Sequence, residues 1–248
     1  MTDMQYVIYG GTSLISIHLI KKIQSNLPES KFKIFVRSKE KLDKLLKQHG
    51  ILFLENNFEV YEVDILDIDK NKEYINKMDI NSIDGFYFFV GVTGNPEEEF
   101  RDDILLKKNF YINLIHPILI INSISAKIKE HSHIVVITSL SGVRGRMKSL
   151  FYCSAKAGLI NYLSGLRQKL NPKKILVIDF TAGYILTETF KKNFKINNFL
   201  VSEPSKVASK IISSIKNKKE IVFNNFFWRF ISLIIKMIPE KIFKTLKF

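Results

Sequence analysis

The chain has 248 residues, 46% of them hydrophobic, and a formal net charge of +14. The length is typical of a single α/β domain, and the apolar content excludes a disordered chain. Cys153 is the only cysteine, which excludes an intramolecular disulfide and argues against a cysteine-based metal site. We therefore expect a reducing compartment and no metal.

The positive charge is concentrated towards the carboxyl end. From Lys191 onward, thirteen Lys or Arg residues stand against three acids, so this stretch carries +10 of the total. No helix-turn-helix, aromatic RNA-binding signature or zinc-ligand spacing accompanies it, and we expect no nucleic-acid partner. A general bias towards Lys, Ile and Asn is the other explanation of the excess. The first residues run into a strand-like segment without a signal-peptide pattern, which predicts a cytoplasmic protein.

Seven short runs of β-branched or aromatic residues alternate with longer segments of helical period. They cover residues 4–9, 32–36, 58–63, 83–90, 133–138, 175–180 and 220–223. The runs are apolar throughout, as strands of a parallel sheet covered on both faces require. We predict an α/β fold with a doubly wound parallel (Rossmann) sheet of about seven strands in residues 1–223. An amphipathic helical extension is predicted in residues 224–248.

A glycine-containing turn follows the first run, with the sequence Gly-Gly-Thr-Ser-Leu-Ile-Ser at residues 10–16. Glycine permits close backbone approach, and the amides at a helix N-terminus favour a pyrophosphate. An ordinary strand-to-helix turn is the alternative, because Leu14 and Ser16 replace the later glycines of the usual motif. The residues predicted to bind a dinucleotide here are Gly10, Gly11, Thr12, Ser13, Leu14 and Ile15.

The ends of the second and third runs bear on the choice of cofactor. The second run ends in Arg37-Ser38, without the carboxylate that an NAD-selective enzyme often places on the ribose. Arg37 with Ser38 suits a 2′-phosphate, so we favour NADP(H) over NAD(H), with a solvated arginine as the alternative. Asp64-Ile65 follows the third run and is placed to meet the adenine, although such an aspartate is equally often a helix cap.

Tyr152 and Lys156 lie at i and i+4 of a predicted helix, which places both on one face. A tyrosine, with an ordinary pKa near 10, becomes a useful acid or base when a neighbouring ammonium favours the phenolate. Ser139 ends the preceding strand and would hold a carbonyl oxygen while Tyr152 transfers the proton. A Tyr-x-x-x-Lys pair alone is common on helix surfaces. The additional serine at the end of the preceding strand makes the pattern more specific for a catalytic site.

The chain resembles the short-chain dehydrogenase/reductase family across roughly residues 4–190. The resemblance rests on the order and spacing of the glycine turn, Ser139, Tyr152-x-x-x-Lys156 and Ala182-Gly183-x-x-x-Thr187. It implies that Ser139, Tyr152 and Lys156 are the catalytic set and that Tyr152 and Lys156 also contact the cofactor. Members of the family commonly oligomerise, so the resemblance implies a homo-oligomer.

Further site residues follow from the same resemblance. Asn113 corresponds to the helix asparagine that supports a proton relay, and Asn109 is a less well-spaced alternative. Additional cofactor contacts are expected from Gly91, Gly183, Ile185 and Thr187. The sequence Phe-Phe-Val-Gly at residues 88–91 departs from the family's Asn-Asn-Ala-Gly, which puts cofactor affinity and specificity in doubt more than the fold.

A cationic loop at residues 143–148 lies between Ser139 and Tyr152. Arg144 and Arg146 would receive a phosphate on the substrate, whereas a solvated loop is the alternative. With the glycine turn and the tail, this loop is similar to that of the branch containing reductases of polyprenyl-phosphate-linked keto-sugars. The loop at residues 184–201 would shape the substrate site, and Phe190, Phe194 and Phe199 suggest an apolar wall or core packing.

The tail contains an apolar helical stretch at residues 226–238, interrupted by Arg229, Ser232 and Lys236. These three form one narrow polar stripe on the predicted helix. The stretch is too short to cross a bilayer, which needs roughly 20 residues, but it suits an anionic membrane surface. Packing on the sheet or on a second subunit is the alternative. The expected location is therefore cytoplasmic, with peripheral attachment to the inner face of the membrane.

Together these features predict an NAD(P)(H)-dependent oxidoreductase that transfers a hydride between nicotinamide and a ketone or secondary alcohol. The substrate expected is small or lipid-linked, amphiphilic and keto-sugar-like. One alternative is a soluble carbonyl reductase that uses the tail for oligomerisation. The other is a non-catalytic regulator that binds a dinucleotide.

Overall fold

The computed structural model of the protein describes residues 4–51, 57–79, 81–187 and 198–246. Its strands are β1 Gln5–Tyr9, β2 Lys31–Val36, β3 Phe58–Glu62, β4 Ile83–Phe88, β5 Ile128–Ser139, β6 Leu176–Ala182, β7 Tyr184–Ile185, β8 Val201–Ser202 and β9 Ile221–Phe223. Seven of them form one parallel sheet in the order β3-β2-β1-β4-β5-β6-β9, whereas β7 pairs with β8. The predicted doubly wound parallel sheet is confirmed.

Helices cover both faces of this sheet. They are α1 Leu14–Asn26, α2 Lys39–Gln48, α3 Ile68–Asn76, α4 Pro96–Glu99, α5 Asp103–Phe110, α6 His116–Ser125, α7 Leu150–Leu170, α8 Pro204–Lys216, α9 Phe226–Met237 and α10 Glu240–Phe243. Successive β1 residues enter opposite cores. Ile8 packs in the core that includes α1 and α8, and Val7 in the core that includes α6 and α7. This two-sided burial explains why the strand sequences lack polar alternation.

A π-helical turn, Tyr111–Ile115, joins α5 to α6 in one continuous helix. The combined helix, Asp103–Ser125, is 23 residues long with a mean hydropathy of 1.3 in its most apolar window, values that would allow a membrane span. Its residues Ile120, Ile121 and Ile124 are fully buried between α6 and the sheet. We therefore assign it to the core of the domain.

The C-terminal segment, which we define as residues 224–246, is attached to the sheet through specific side chains. The α9 residue Trp228 is buried, and its Nε1 donates to the carbonyl oxygen of Leu200 at 3.0 Å. Asn224 accepts a hydrogen bond from the amide of Gly183 at 2.8 Å. The segment was predicted as an extension beyond residue 223, and in the structure it packs on the same body.

The prediction that Arg229, Ser232 and Lys236 form one polar stripe on α9 is wrong for Ser232. Ser232 is buried and donates to the carbonyl oxygen of Arg229, whereas Arg229 and Lys236 are exposed. Trp228 and Ser232 therefore mark the side of α9 that packs on the domain. Most of the apolar residues of this helix face solvent instead, because the short anchored side accommodates only a few of them.

Candidate active site

The glycine turn lies between β1 and α1, and its shape depends on Gly10. This residue has φ +83°, a left-handed conformation that favours glycine, and Ser16 Oγ donates to its carbonyl oxygen at 2.8 Å. Ser13 caps α1 by accepting a hydrogen bond from the amide of Ile15 at 3.3 Å. Thus Ser16, which replaces a glycine of the usual motif, closes the turn through its hydroxyl.

A cleft of about 380 Å³ opens beyond the carboxyl ends of β1 and β4. The predicted cofactor residues that line it are Gly10, Thr12, Ser13, Arg37, Ile65 and Gly91. Gly11 instead lies against β2, where an added Cβ would come within 2.2 Å of Ile34 Cγ2. Ile15 is buried in the core, and Leu14 does not line the cleft.

The side chains at the ends of β2 and β3 divide between cleft and capping positions. Arg37 is exposed and lines the cleft. Ser38 caps α2 by accepting from the amide of Lys41 at 3.1 Å. Asp64 Oδ1 accepts from the amide of Leu66 at 2.9 Å. Ser38 and Asp64 thus have local partners, but the helix cap that had been the alternative for Asp64 is Asp67, which caps α3.

Three cleft residues that were not predicted carry buried polar atoms without hydrogen-bond partners in the structure. These atoms are the Tyr9 hydroxyl, Asn71 Oδ1 and both ring nitrogens of His116. An unsatisfied buried polar group costs about 1–3 kcal/mol, so a polar ligand or water is needed to complete them. Burial lowers the pKa of His116 to about 4, leaving a neutral ring that both donates and accepts at neutral pH.

These orphaned groups, together with the glycine turn, fit a nucleotide cofactor. Gly10 lets the turn pack closely against β4, since an added Cβ at Gly10 would lie 3.0 Å from the Phe89 backbone. Asn71 and the neutral His116 offer hydrogen-bonding groups of the kind that a nucleobase edge requires. Arg37 supplies a positive charge at the rim of the cleft.

Asn113 clamps the chain that follows β4. Its Nδ2 donates to the carbonyl oxygen of Val92 at 2.8 Å, and its Oδ1 accepts from the Val92 amide at 3.1 Å. An added Cβ at Gly91 would lie 3.2 Å from both Asn113 Oδ1 and Lys156 Nζ. Gly91 therefore leaves the space in which these two side chains meet. The π-helical turn carries Asn113, as is common where such turns serve a functional site.

Asn109 and Glu99 form a layer behind Asn113. Asn109 Oδ1 accepts from Asn113 Nδ2 at 2.9 Å, and Asn109 Nδ2 donates to Glu99 Oε1 at 2.6 Å. All three side chains are buried. The position predicted as the alternative relay residue therefore supports Asn113. No sequence pattern indicated Glu99, because its partner lies ten residues away across a turn.

The structure brings the predicted catalytic residues together. Ser139 ends β5 opposite Ala182 of β6, and Tyr152 lies in the first turn of α7. Ser139 lies close enough to Tyr152 to lower its pKa, and Ser139 Oγ accepts from the amide of Ser141 at 3.1 Å. Lys156 is buried, with its Nζ 5.6 Å from the centre of the Tyr152 ring. These contacts place a hydroxyl pair and an ammonium at the ends of β5 and β6.

Burial and nearby polar groups act in opposite directions on the pKa of Tyr152. Burial raises its pKa above the ordinary value, and the Ser139 side chain and the charge of Arg146 oppose this rise. Burial lowers the pKa of Lys156 to about 8, against the opposing field of Asp179. Lys156 Nζ lies 5.6 Å from the centre of the Tyr152 ring, and Arg146 is a second cation close enough to lower the pKa of Tyr152. The predicted role of Lys156 stays a prediction. Because its pKa is raised, the phenol is held in its protonated form.

The two arginines of the cationic loop have different surroundings. Arg144 donates to the carbonyl oxygens of Ile235, at 2.9 Å, and Ile238, and its guanidinium carbon lies 3.8 Å from the centre of the Phe243 ring. It also pairs with Glu240 at 2.6 Å. The prediction that Arg144 receives a substrate phosphate is therefore wrong, because its donors are used to hold the C-terminal segment.

Arg146 remains next to the reacting groups. It donates to the Ser141 side chain, and its Nε is buried without a partner in the structure. Together with its effect on the pKa of Tyr152, this places a cation with a spare donor beside the catalytic hydroxyl. Its predicted contact with a substrate stays a prediction.

The predicted nicotinamide-binding stretch after β6 is covered by α9. An added Cβ at Gly183 would come within 2.2 Å of Trp228 Nε1. Ile185 lies in β7 and pairs with Ser202 of β8. Thr187 is the last residue before a gap in the described chain, so Phe190 and Phe194 lie outside the described residues. Phe199, the third predicted wall residue, is exposed. Within the described ranges, no cluster of three metal-ligating His, Cys, Asp or Glu side chains is found.

Comparisons with known proteins agree with this geometry. The model of the short chain dehydrogenase family matches residues 15–198. A 3-oxoacyl-[acyl-carrier-protein] reductase FabG from Aggregatibacter actinomycetemcomitans is 30% identical over 105 residues, 42% of this chain and 42% of the relative. 17-beta-hydroxysteroid dehydrogenase 13 from Rattus norvegicus is 26% identical over 146 residues, 57% and 48% of the two chains. The chain thus spans about half the length of the curated relatives it matches.

Solved structures share the whole fold at low sequence identity. A short chain dehydrogenase from Burkholderia cenocepacia in complex with NADP has a TM-score of 0.76 at 14% identity, covering 96% of this chain and 98% of its own. BdcA in complex with NADPH has a TM-score of 0.73 at 17% identity, covering 91% and 95%. Because the family model matches well over half of the chain, this protein belongs to the short-chain dehydrogenase/reductase family, a family of oxidoreductases that act on CH–OH groups.

Proposed function

We propose that the protein is an NAD(P)(H)-dependent oxidoreductase that interconverts a ketone and a secondary alcohol. The observation that carries the proposal is that Ser139 at the end of β5 and Tyr152 lie beside buried Lys156, whose Nζ reaches Gly91 at the wall of the cleft. When bound, the nicotinamide supplies or accepts the hydride. Family membership and the dinucleotide-like features of the cleft support the same assignment.

The chain's own residues divide the remaining work. Ser139 donates a hydrogen bond to the substrate carbonyl oxygen and fixes its position. Tyr152 transfers its hydroxyl proton to that oxygen, and its raised pKa keeps the proton available at neutral pH. Lys156 holds a positive charge behind the site below pH about 8, next to the Asn113 clamp. This division favours the direction of ketone reduction.

NADP(H) is the cofactor we propose, in preference to NAD(H). Arg37 lies at the rim of the cleft, where its guanidinium can pair with a 2′-phosphate. No acid directly follows β2 in the sequence, and Glu62 of the neighbouring β3 already accepts from the Lys39 amide at 2.9 Å. Two of the structural neighbours were solved in complex with NADP or NADPH. Titration calorimetry checks the preference, and binding of NADH as tight as that of NADPH would contradict it.

The substrate we propose is an amphiphilic ketone, of which a lipid-linked keto-sugar is the most specific candidate. The names of two relatives refer to 3-oxoacyl and hydroxysteroid compounds, in which the reacting carbon belongs to a large apolar molecule. In this chain, the exposed apolar side of α9 lies next to the catalytic strand ends, and Arg146 offers a donor to an anionic group. We also propose a cytoplasmic homo-oligomer that uses the exposed apolar residues Ile104 and Ile115 of the long helix.

The substitution Tyr152→Phe tests the proposed chemistry. Removing the hydroxyl should lower the rate of NADPH-dependent ketone reduction by about 10²–10⁴-fold while NADPH binding is unchanged, because the proton donor is lost but the cleft is not. Tyr162→Phe on the same helix is the matched control, since its hydroxyl contacts Asn122 and not the site. A Tyr152→Phe enzyme with an unchanged rate would contradict the mechanism.

A further inference from the structure

The C-terminal segment presents an apolar surface to solvent instead of burying it. Six large apolar side chains of α9 are between 45% and 81% exposed, namely Phe226, Phe227, Phe230, Leu233, Ile234 and Met237. At 100° per residue they span one continuous third of the helix circumference, opposite the buried Trp228 and Ser232. We call these six residues the apolar face. Contiguous exposure on this scale marks an interaction surface.

Positive charges border the apolar face. Arg229 and Lys236 are exposed and lie seven residues apart, so both fall along one edge of the face. In and after α10, Lys241 and Lys244 are exposed, and so are Ile242 and Leu246 between and beyond them. The only acid of the segment is Glu240, whose charge is paired with Arg144. The border therefore carries a net positive charge beside an apolar strip.

The segment is held in this orientation by contacts on its other side. The Trp228 indole packs against Gly183 and donates a hydrogen bond to the carbonyl oxygen of Leu200. Arg144 donates hydrogen bonds to carbonyl oxygens at the end of α9. These anchors keep α9 against the turn Leu140–Val143, which directly follows Ser139. The apolar face is thus presented outward, next to the catalytic strand ends.

The charge pattern favours lipid over a second copy of the chain as the occupant of this face. In a two-fold dimer the same patch meets itself, so the cations bordering one apolar face would lie near those of the other. Anionic headgroups instead complement these cations, and the apolar side chains reach the acyl boundary. The 12 residues of α9 extend only about 18 Å, which is too short to cross a hydrocarbon core of about 30 Å.

We propose that the C-terminal segment docks the protein on an anionic lipid bilayer, with α9 lying in the plane of the interface. The bilayer would then adjoin the catalytic strand ends, where an amphiphilic substrate is presented. The inference rests on the exposed apolar and cationic residues of the segment and is independent of the proposed oxidoreductase activity. If membrane docking is refuted, the proposed oxidoreductase activity can still be tested separately, and the reverse also holds.

Flotation of the full chain with lipid vesicles tests this docking. We expect the protein to float with phosphatidylcholine vesicles that contain phosphatidylglycerol, and at least about tenfold less with phosphatidylcholine alone. The double substitution Phe230→Ser/Met237→Ser should lower the partition coefficient by at least about tenfold, because it removes apolar contacts from the middle of the face. Arg229→Gln/Lys236→Gln should lower it roughly fivefold for each cation removed.

Controls separate docking from damage to the fold. Leu27→Ser removes an exposed apolar side chain after α1, far along the chain from the segment, and should float like the unmodified protein. Denaturant unfolding should be unchanged in all variants, because the replaced side chains are exposed. Absence of flotation with phosphatidylglycerol vesicles would overturn the proposal. So would mass measurements in which Phe230→Ser/Met237→Ser converts a dimer to a monomer, since a second copy would then cover the face.

Discussion

The catalytic strand ends and the C-terminal segment lie side by side but are held in different ways. Around Ser139 and Lys156, parallel strands, α7 and buried amides interlock, and each reacting group has neighbours on several elements. The C-terminal segment depends on a few side-chain anchors, chiefly Trp228 and Arg144. The sheet therefore fixes the position of the chemistry, while a small set of contacts determines which surface adjoins it.

Among changes that alter packing around these two regions, the largest effect on turnover should come from crowding the interlocked region. Gly91→Ala places a methyl group 3.2 Å from both Asn113 Oδ1 and Lys156 Nζ, so these groups must move apart. We expect turnover to fall about tenfold, because the groups must shift by a few tenths of an ångström, and a misplacement of about 1 Å would cost about 100-fold. The control is Gly145→Ala, whose added Cβ meets nothing within 4 Å. Steady-state kinetics that are equal for the two variants would show that the site is less rigid than its packing indicates.

An intermediate effect is expected from releasing the anchored region. Arg144→Met removes two hydrogen bonds to carbonyl oxygens and the pairing with Glu240, which should lower the free energy of unfolding by about 3 kcal/mol. Limited proteolysis should then cut within the C-terminal segment first. Arg229→Met is the control, since Arg229 is exposed at the border of the apolar face. Equal denaturation midpoints for the two variants would refute the anchoring role.

The smallest effect has the opposite sign and depends on pH. Burial lowers the pKa of Lys156 from 10.5 to about 8, so the unfolded chain binds more protons between these values and stability rises with pH across that window. Lys156→Met removes this penalty. The shift in the pKa of Lys156 corresponds to about 3 kcal/mol. We expect the variant to be stabilised at pH 7 by less than this, because Asp179 loses a neighbouring positive charge. The gain should fade as denaturation is repeated at rising pH, and a gain that persists at pH above 10.5 would contradict the assignment.

The parts of the structure that could be predicted from sequence are those set by local pattern. Continuous apolar runs identify buried parallel strands, and the spacing of Ser139, Tyr152 and Lys156 identifies residues that one strand and one helix bring together. His116 and Asn71 could not be found in this way, because they meet only across the cleft and nothing in their own segments marks them. Arg144 and Arg146 are two residues apart in one loop, and only the position of α9 distinguishes an anchor from a residue at the site.

The contact between Trp228 and Gly183 has a thermodynamic consequence. The indole occupies the space that any side chain at residue 183 would need, so α9 cannot shift without disturbing the stretch that follows β6. A ligand that prefers one arrangement of this stretch must therefore alter the affinity of whatever binds α9, and by reciprocity the reverse also holds. Any ligand-induced shift of residue 183 that displaces the indole would therefore also move α9.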